Sequence, residues 1–224
     1  MMLPALVTLA LALWQASPAA KIVFRFENPQ LQPASYSIEI REDGSGRYKS
    51  MPASPTPDTT VPSGPADDIT SQPADREIRV GEALRSQLFA AAHSHHFFDF
   101  ACEAPKSHVA FTGKKTLTYT GPNGQGSCTY NYSRDDQLNR ITDELEAVAF
   151  TLEEGQRLAL QQQHSPLALD AELETLEEAS KGGRALEIGN IAPQLQSIVN
   201  DESVMQRARK RAKGLLDGVT IAGR

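Results

Sequence analysis

Cysteine is scarce in this chain: two residues in 224, Cys102 and Cys128. They lack CxxC spacing, which excludes a dithiol redox pair and a cysteine-rich zinc site. Positive charge is in deficit. Lys and Arg number 22 against 28 Asp and Glu, a net charge of −6. That balance argues against a nucleic-acid binder, which carries a strong basic excess. Long hydrophobic runs are missing as well. The apolar run from Leu3 to Trp14 is about a dozen residues, short of the roughly 20 that span a bilayer. Catalytic signatures are absent: there is no P-loop, no dinucleotide fingerprint and no HEXXH. Gly124-Gln125-Gly126-Ser127 is not a GxSxG elbow and sits in a hairpin turn. Asp67-Asp68 and Asp135-Asp136 lack the spacing of a calcium loop. No motif fixes an activity, and no cofactor is expected.

What is present begins with an address. The apolar run leads into Ala16, Ser17, Ala19 and Ala20. This is the layout of a secretory signal peptide, residues 1–20, with Ser17 and Ala19 at −3 and −1 of a cut after Ala19. It predicts a mature N-terminus at Ala20 or Lys21 and a periplasmic or secreted protein, with no transmembrane span after cleavage. An uncleaved anchor or a buried N-terminal helix is the alternative, since no Lys or Arg precedes the run. No Cys marks the cut, so a lipid anchor is unsupported. Two cysteines in an exported chain predict a Cys102–Cys128 disulfide, with two buried thiols as the alternative.

Hydrophobic residues make up 40% of the sequence, enough for a real core. Ile22, Phe24 and Phe26 alternate with Val23, Arg25 and Glu27, the period of a half-buried strand. Tyr36, Ile38 and Ile40 repeat the pattern, and Asp43-Gly44-Ser45-Gly46 turns the chain into a hairpin over 36–50. Residues 51–75 hold six prolines among Ser, Thr and Asp, with no aromatic residue, and read as a disordered insert. A strand resumes at Glu77–Val80, followed by a helix carrying Leu84, Leu88 and Ala91. Val109 and Phe111, then Leu117 and Tyr119, then Cys128, Tyr130 and Tyr132 predict further strands. Leu138, Ile141, Leu145, Val148 and Leu152 step by three and four, a helix that Asp135 or Ser133 can cap. Beyond 153 the stripes are helical: Leu169-Leu173-Leu176, Ile191-Leu195-Ile198 under an Asn190 cap, and Val204-Ala208-Ala212-Leu215. The fold class expected is α+β: an antiparallel sheet with two packed helices over 21–152. A small all-α unit over 153–218 and a tail at 219–224 complete the chain.

Tyr36-Ser37-Ile38-Glu39-Ile40 with Asp43-Gly44 and Gly46-Arg47-Tyr48 is followed by a helix ending in Phe97-Phe98. A hairpin from Thr116-Leu117-Thr118-Tyr119 to Tyr130-Asn131-Tyr132 then leads into a helix. In this layout, residues 21–150 resemble a class of exported bacterial α+β domains of unknown function. The cysteine pair and the Pro-rich insert depart from that layout. The last sixty residues resemble a pair of HEAT-type helical hairpins, too few for a repeat. Neither resemblance implies a catalytic residue.

Two clusters carry candidate chemistry. His93-Ser94-His95-His96, with Asp99, Cys102, Glu103 and His108 nearby, is the densest set of metal-capable side chains. Its candidate ligands are His93, His96, Asp99 and His108. The competing reading, imidazoles offsetting the dipole at a helix C-terminus, is preferred, and no metal set is favoured. The second cluster is basic: Arg207, Arg209, Lys210, Arg211 and Lys213. An acidic block, Glu172, Glu174, Glu177 and Glu178, precedes it. The basic residues read as a solvated helix face, as a partner for the acidic block, or as a patch that recruits an acidic protein or envelope lipid. The function expected is an exported non-catalytic binding or interaction module for an unknown protein or envelope component, with no nucleic acid. The alternative is a metal-dependent or cryptic hydrolase using the His93–His108 region.

Overall fold

A computed structural model describes residues 19–53, 72–104 and 109–222. Most of the expected signal segment, the heart of the Pro-rich insert, His108 and the last two residues lie outside the described residues. Among the described residues six strands form one antiparallel sheet in the order β4-β3-β2-β1-β5-β6. They are β1 (Lys21–Glu27), β2 (Ser35–Arg41), β3 (Ser45–Met51), β4 (Ala74–Arg79), β5 (Lys114–Gly121) and β6 (Gly124–Tyr130). Among the described residues five α-helices accompany it: α1 (Glu82–Ser94), α2 (Asp136–His164), α3 (Leu169–Lys181), α4 (Ala192–Asn200) and α5 (Gln206–Ala222). The protein is α+β.

Strand alternation decides which side of the sheet is covered. Ile22, Phe24, Ile38, Ile40, Tyr48, Leu117 and Tyr119 all point inward and are essentially inaccessible. Their neighbours Arg25, Arg47, Glu77 and Gln125 face solvent. One-sided burial is the usual state of an antiparallel sheet and matches the period-two pattern of the sequence. The inner face packs with α1 and the first half of α2 into one core. Asp135 caps α2, its carboxylate accepting the Leu138 N–H at 2.8 Å.

A second core gathers Leu158, Leu169, Leu173, Leu176, Ile191, Leu195, Ile198, Ala208 and Ala212. Helices as short as α4 gain their stability from such packing. The two cores share α2, which runs past Leu152, where its sequence stripe stops, to His164. The stripe is broken by Gly155. A Cβ there would lie 2.9 Å from the Ile191 Cβ, so the missing side chain is the seat of Ile191.

Local expectations differ from the structure at several points: Tyr132 lies past the end of β6 and Val204 before the start of α5. Residues 109–113 are not a strand. The Asn131 carboxamide takes their backbone groups instead, accepting from the Thr112 N–H at 2.8 Å and donating to the Ala110 carbonyl at 3.2 Å. Helix α1 ends at Ser94 rather than at the aromatic pair. His96, Phe97 and Phe98 turn left-handed, with φ of 50°, 60° and 67°. That conformation costs roughly 1–2 kcal/mol per non-glycine residue. Burial of Phe98 and stacking of Phe97 on Tyr119, ring centres 4.8 Å apart, offset it. Gly126 leaves room for the turn, since a Cβ there would meet the Phe97 carbonyl at 2.5 Å. Finally, Asn190 does not cap α4. It lies in a 3-10 turn, Ile188–Ile191, and reaches across to β4.

Candidate binding cleft at the β4 edge

Strand β4 ends the sheet, so among the described residues one side of its backbone has no strand partner. Edge strands left bare recruit other chains. The Val80 N–H donates to the Gly44 carbonyl at 2.9 Å, which fixes the alternation. Ala74, Arg76 and Ile78 turn their backbone groups toward β3, and Asp75, Glu77 and Arg79 turn theirs outward. The Asn190 carboxamide pairs with Arg79 as a neighbouring strand would. Its oxygen accepts the Arg79 N–H at 2.7 Å and its nitrogen donates to the Arg79 carbonyl at 2.8 Å. One step on, the Glu187 carboxylate accepts the Gly81 N–H at 2.8 Å. Gly81 permits this approach, because a Cβ there would stand 3.1 Å from that carboxylate oxygen. Glu187 is itself left-handed, with φ of 56°. Burial pushes its carboxyl above the ordinary glutamate range, and the Gly81 N–H returns part of the shift.

Between β4 and this turn lies an open cleft of about 820 Å³. Its sheet wall is Arg41, Ser45, Gly46, Arg47 and Glu77 to Gly81; its opposite wall is Glu187, Gly189, Asn190 and Pro193. Two of its three guanidinium groups are engaged. Arg41 contacts Glu39 at 2.6 Å, and Arg47 binds Asp75 through two bonds of 2.6 and 2.9 Å. The hydrogen bond from Arg47 holds the Asp75 carboxyl below its ordinary range against the modest cost of burial. Among the described residues, Arg79 and Glu77 have no ion-pair partner. Among the described residues the cleft therefore offers one cation and one anion outside ion-pair distance of any partner, Glu77 lying across from Arg47 on β3, and an edge of backbone donors and acceptors.

The sequence-derived candidates fall elsewhere. His93, His96 and Asp99 are all exposed. Among the described residues no group of three or more His, Cys, Asp or Glu is placed to hold a metal ion, and His108 lies outside them. The His93 ring packs against Phe97, centres 5.2 Å apart. His95 is the engaged imidazole of the run: its Nε2 lies 2.7 Å from Asp135 Oδ2 and ties the exit of α1 to the start of α2. Burial raises the Asp135 carboxyl, but the Leu138 N–H and His95 outweigh it and hold it below its ordinary value. Cys102 and Cys128 come together with Cα atoms 5.9 Å apart, inside disulfide range.

The basic cluster divides. Arg211 is turned inward among three carboxylates, Asp170 at 3.2 Å, Glu174 at 2.7 Å and Glu177 at 2.6 Å. Arg207 contacts Asp170 at 2.5 Å. Arg211 thus joins two members of the acidic block, Glu174 and Glu177, across α3 and α5, while Glu172 binds Arg157 instead, and Arg211 leaves the set able to meet a partner. Arg209 is half-buried, Lys210 is exposed, and Lys213 is exposed beside Asp217 at 3.4 Å. No helix among the described residues is long and apolar enough to cross a membrane.

Sequence reasoning singled out Asn190 and assigned it the wrong contact, and it missed Glu187 and Arg79. Nothing local marks a Glu that will sit left-handed, and an edge strand is defined only by its missing neighbour. Comparison with protein-family models finds no match, and comparison with curated proteins finds none either.

Proposed function

We propose that the chain is an exported, non-catalytic binding module whose ligand seats in the cleft beside β4. One observation carries the reading: a cleft of about 820 Å³ in which Arg79 and Glu77 stand without ion-pair partners among the described residues. That volume falls in the range of ligand pockets. Its lining is mostly polar and charged, so recognition depends on hydrogen bonds and paired charges rather than on apolar burial. Export is supported by the signal layout of residues 1–20 and by the cysteine pair at disulfide distance. The partner is a component of the envelope or its surroundings.

The test is to fill the cleft. Gly189 is exposed, and a Cβ there meets only the Val219 side chain, at 3.4 Å. Gly189→Trp adds an indole at the cleft wall, on the side of Val219, which packs against the second core. Immobilised wild-type protein retains an envelope component from the native host, and the variant loses it while its circular dichroism is unchanged. His96→Trp, outside the cleft, keeps it. Equal retention by Gly189→Trp and wild type contradicts the assignment.

A further inference from the structure

We infer that the occupant of this cleft is an extended polypeptide segment, which joins the sheet as an added strand beside β4. The inference rests on reading the cleft as the ligand site and specifies what fills it. The outward backbone groups of Asp75 and Glu77 have no hydrogen-bond partner among the described residues. They sit between two plugs. At one end Gln156 Nε2 donates to the Gln72 carbonyl at 3.0 Å. At the other, Asn190 occupies both groups of Arg79. The open window holds two N–H and C=O pairs, roughly 7 Å apart along the strand. An extended backbone presents donors and acceptors at that repeat; a sugar ring or a small anion does not. Strand addition of this kind takes its affinity from main-chain bonds and its specificity from alternate side chains.

Asn190 shows that the edge accepts such pairing, because its carboxamide already does at Arg79 what an incoming peptide unit would do at Glu77. Side chains supply the selectivity. Asp75 is neutralised by Arg47 at 2.6 Å and Lys49 at 3.6 Å. Glu77 projects from the same face of β4; it lies across from Arg47, which is committed to Asp75, and among the described residues it has no ion pair of its own. Opposite charges directly across a pair of strands attract, and like charges repel. The segment that docks here carries Lys or Arg opposite Glu77.

Random twelve-residue peptides displayed against the intact chain test this. Wild type selects peptides with alternating β-branched residues and a basic residue near the centre. Glu77→Pro removes an outward N–H and leaves the β3 ladder whole, since Pro is tolerated where an edge strand faces away from its partner. It weakens those peptides by about tenfold or more. Glu77→Lys keeps the backbone, so it still selects extended peptides, with the central preference inverted to Asp or Glu. Should Glu77→Pro fail to fold by circular dichroism, the Glu77→Lys inversion decides alone. Absence of any selected peptide, equal binding by a folded Glu77→Pro variant, or no inversion in Glu77→Lys overturns the inference. A component retained in a Gly189-dependent way but indifferent to Glu77→Pro leaves the cleft as the binding site and removes the strand. Self-association that responds to Glu77→Pro, in place of peptide capture, would make the added strand a second copy of this chain and overturn the stated partner.

Discussion

Replacing Glu154 by Gln should make the protein more stable in alkaline solution. Glu154 is 1% exposed, inside the junction of the two cores. Arg157 Nη1 serves both it and Glu172, at 2.8 and 2.7 Å. One cation cannot neutralise two carboxylates. Burial, with the adjacent Glu172, pushes Glu154 up to about 8 from an unfolded value of 4.5. Burial also opposes the charge on Glu172, but hydrogen bonds from Glu154, Arg157 and Gln161 outweigh it and hold that carboxyl below its ordinary value. At neutral pH the pair therefore shares one proton, carried by Glu154. The sign follows from linkage. A carboxyl raised in the folded state contributes stability that is whole below 4.5 and is lost as pH climbs through about 8. At 1.36 kcal/mol per unit the loss has an upper bound of about 5 kcal/mol, reduced by the opposite shift of Glu172. Gln mimics the protonated acid at every pH. Urea unfolding at pH 5, 7 and 9 should show wild type and Glu154→Gln within about 1 kcal/mol of each other at pH 5, with the variant ahead at pH 9. Parallel pH profiles would refute the shared proton.

Other substitutions test other joints. Gly155→Ala would stabilise an isolated helix by roughly 1 kcal/mol; here the added Cβ, 2.9 Å from that of Ile191, should lower the melting temperature instead. Replacing Cys102 and Cys128 by Ser should cost roughly 3–4 kcal/mol in denaturant unfolding, the chain-entropy value for residues 26 apart; mass spectrometry of oxidised protein showing two free thiols would remove the bond. Arg211→Ala should destabilise the helical unit in thermal melts and Lys210→Ala should not, because only Arg211 sits among Asp170, Glu174 and Glu177.

Periodicity made most of the scaffold legible. Ile22-Phe24-Phe26 and Tyr36-Ile38-Ile40 became neighbouring strands, and Leu138 to Leu152 became the helix beneath them. Those signals are local, since each depends on which face of one element meets the core. The extension of α2 to His164 was hidden because Gly155 and the buried Glu154 look like the end of an apolar stripe. Both exist to receive residues more than 15 positions away, Ile191 and Glu172. The cleft was hidden for the same reason. Asn190 and Arg79 are 111 positions apart, and only the closed fold joins them. The His93–Asp99 run attracted attention through composition, yet its left-handed turn serves to seat Phe97 and Phe98.

The most direct measurement is photo-crosslinking in living cells of the native host. A photoreactive amino acid replaces Gly189 in the cleft, and, in separate strains, His96 at the left-handed turn or Lys210 on α5. A covalent adduct is expected from position 189 in the envelope fraction, absent from positions 96 and 210 and lost when Gln156 and Asn190 are retained but Glu77 is changed to Pro. Its mapped cross-link should fall in an extended segment of a second polypeptide. Adducts from position 96 or 210 with none from 189 would contradict that expectation.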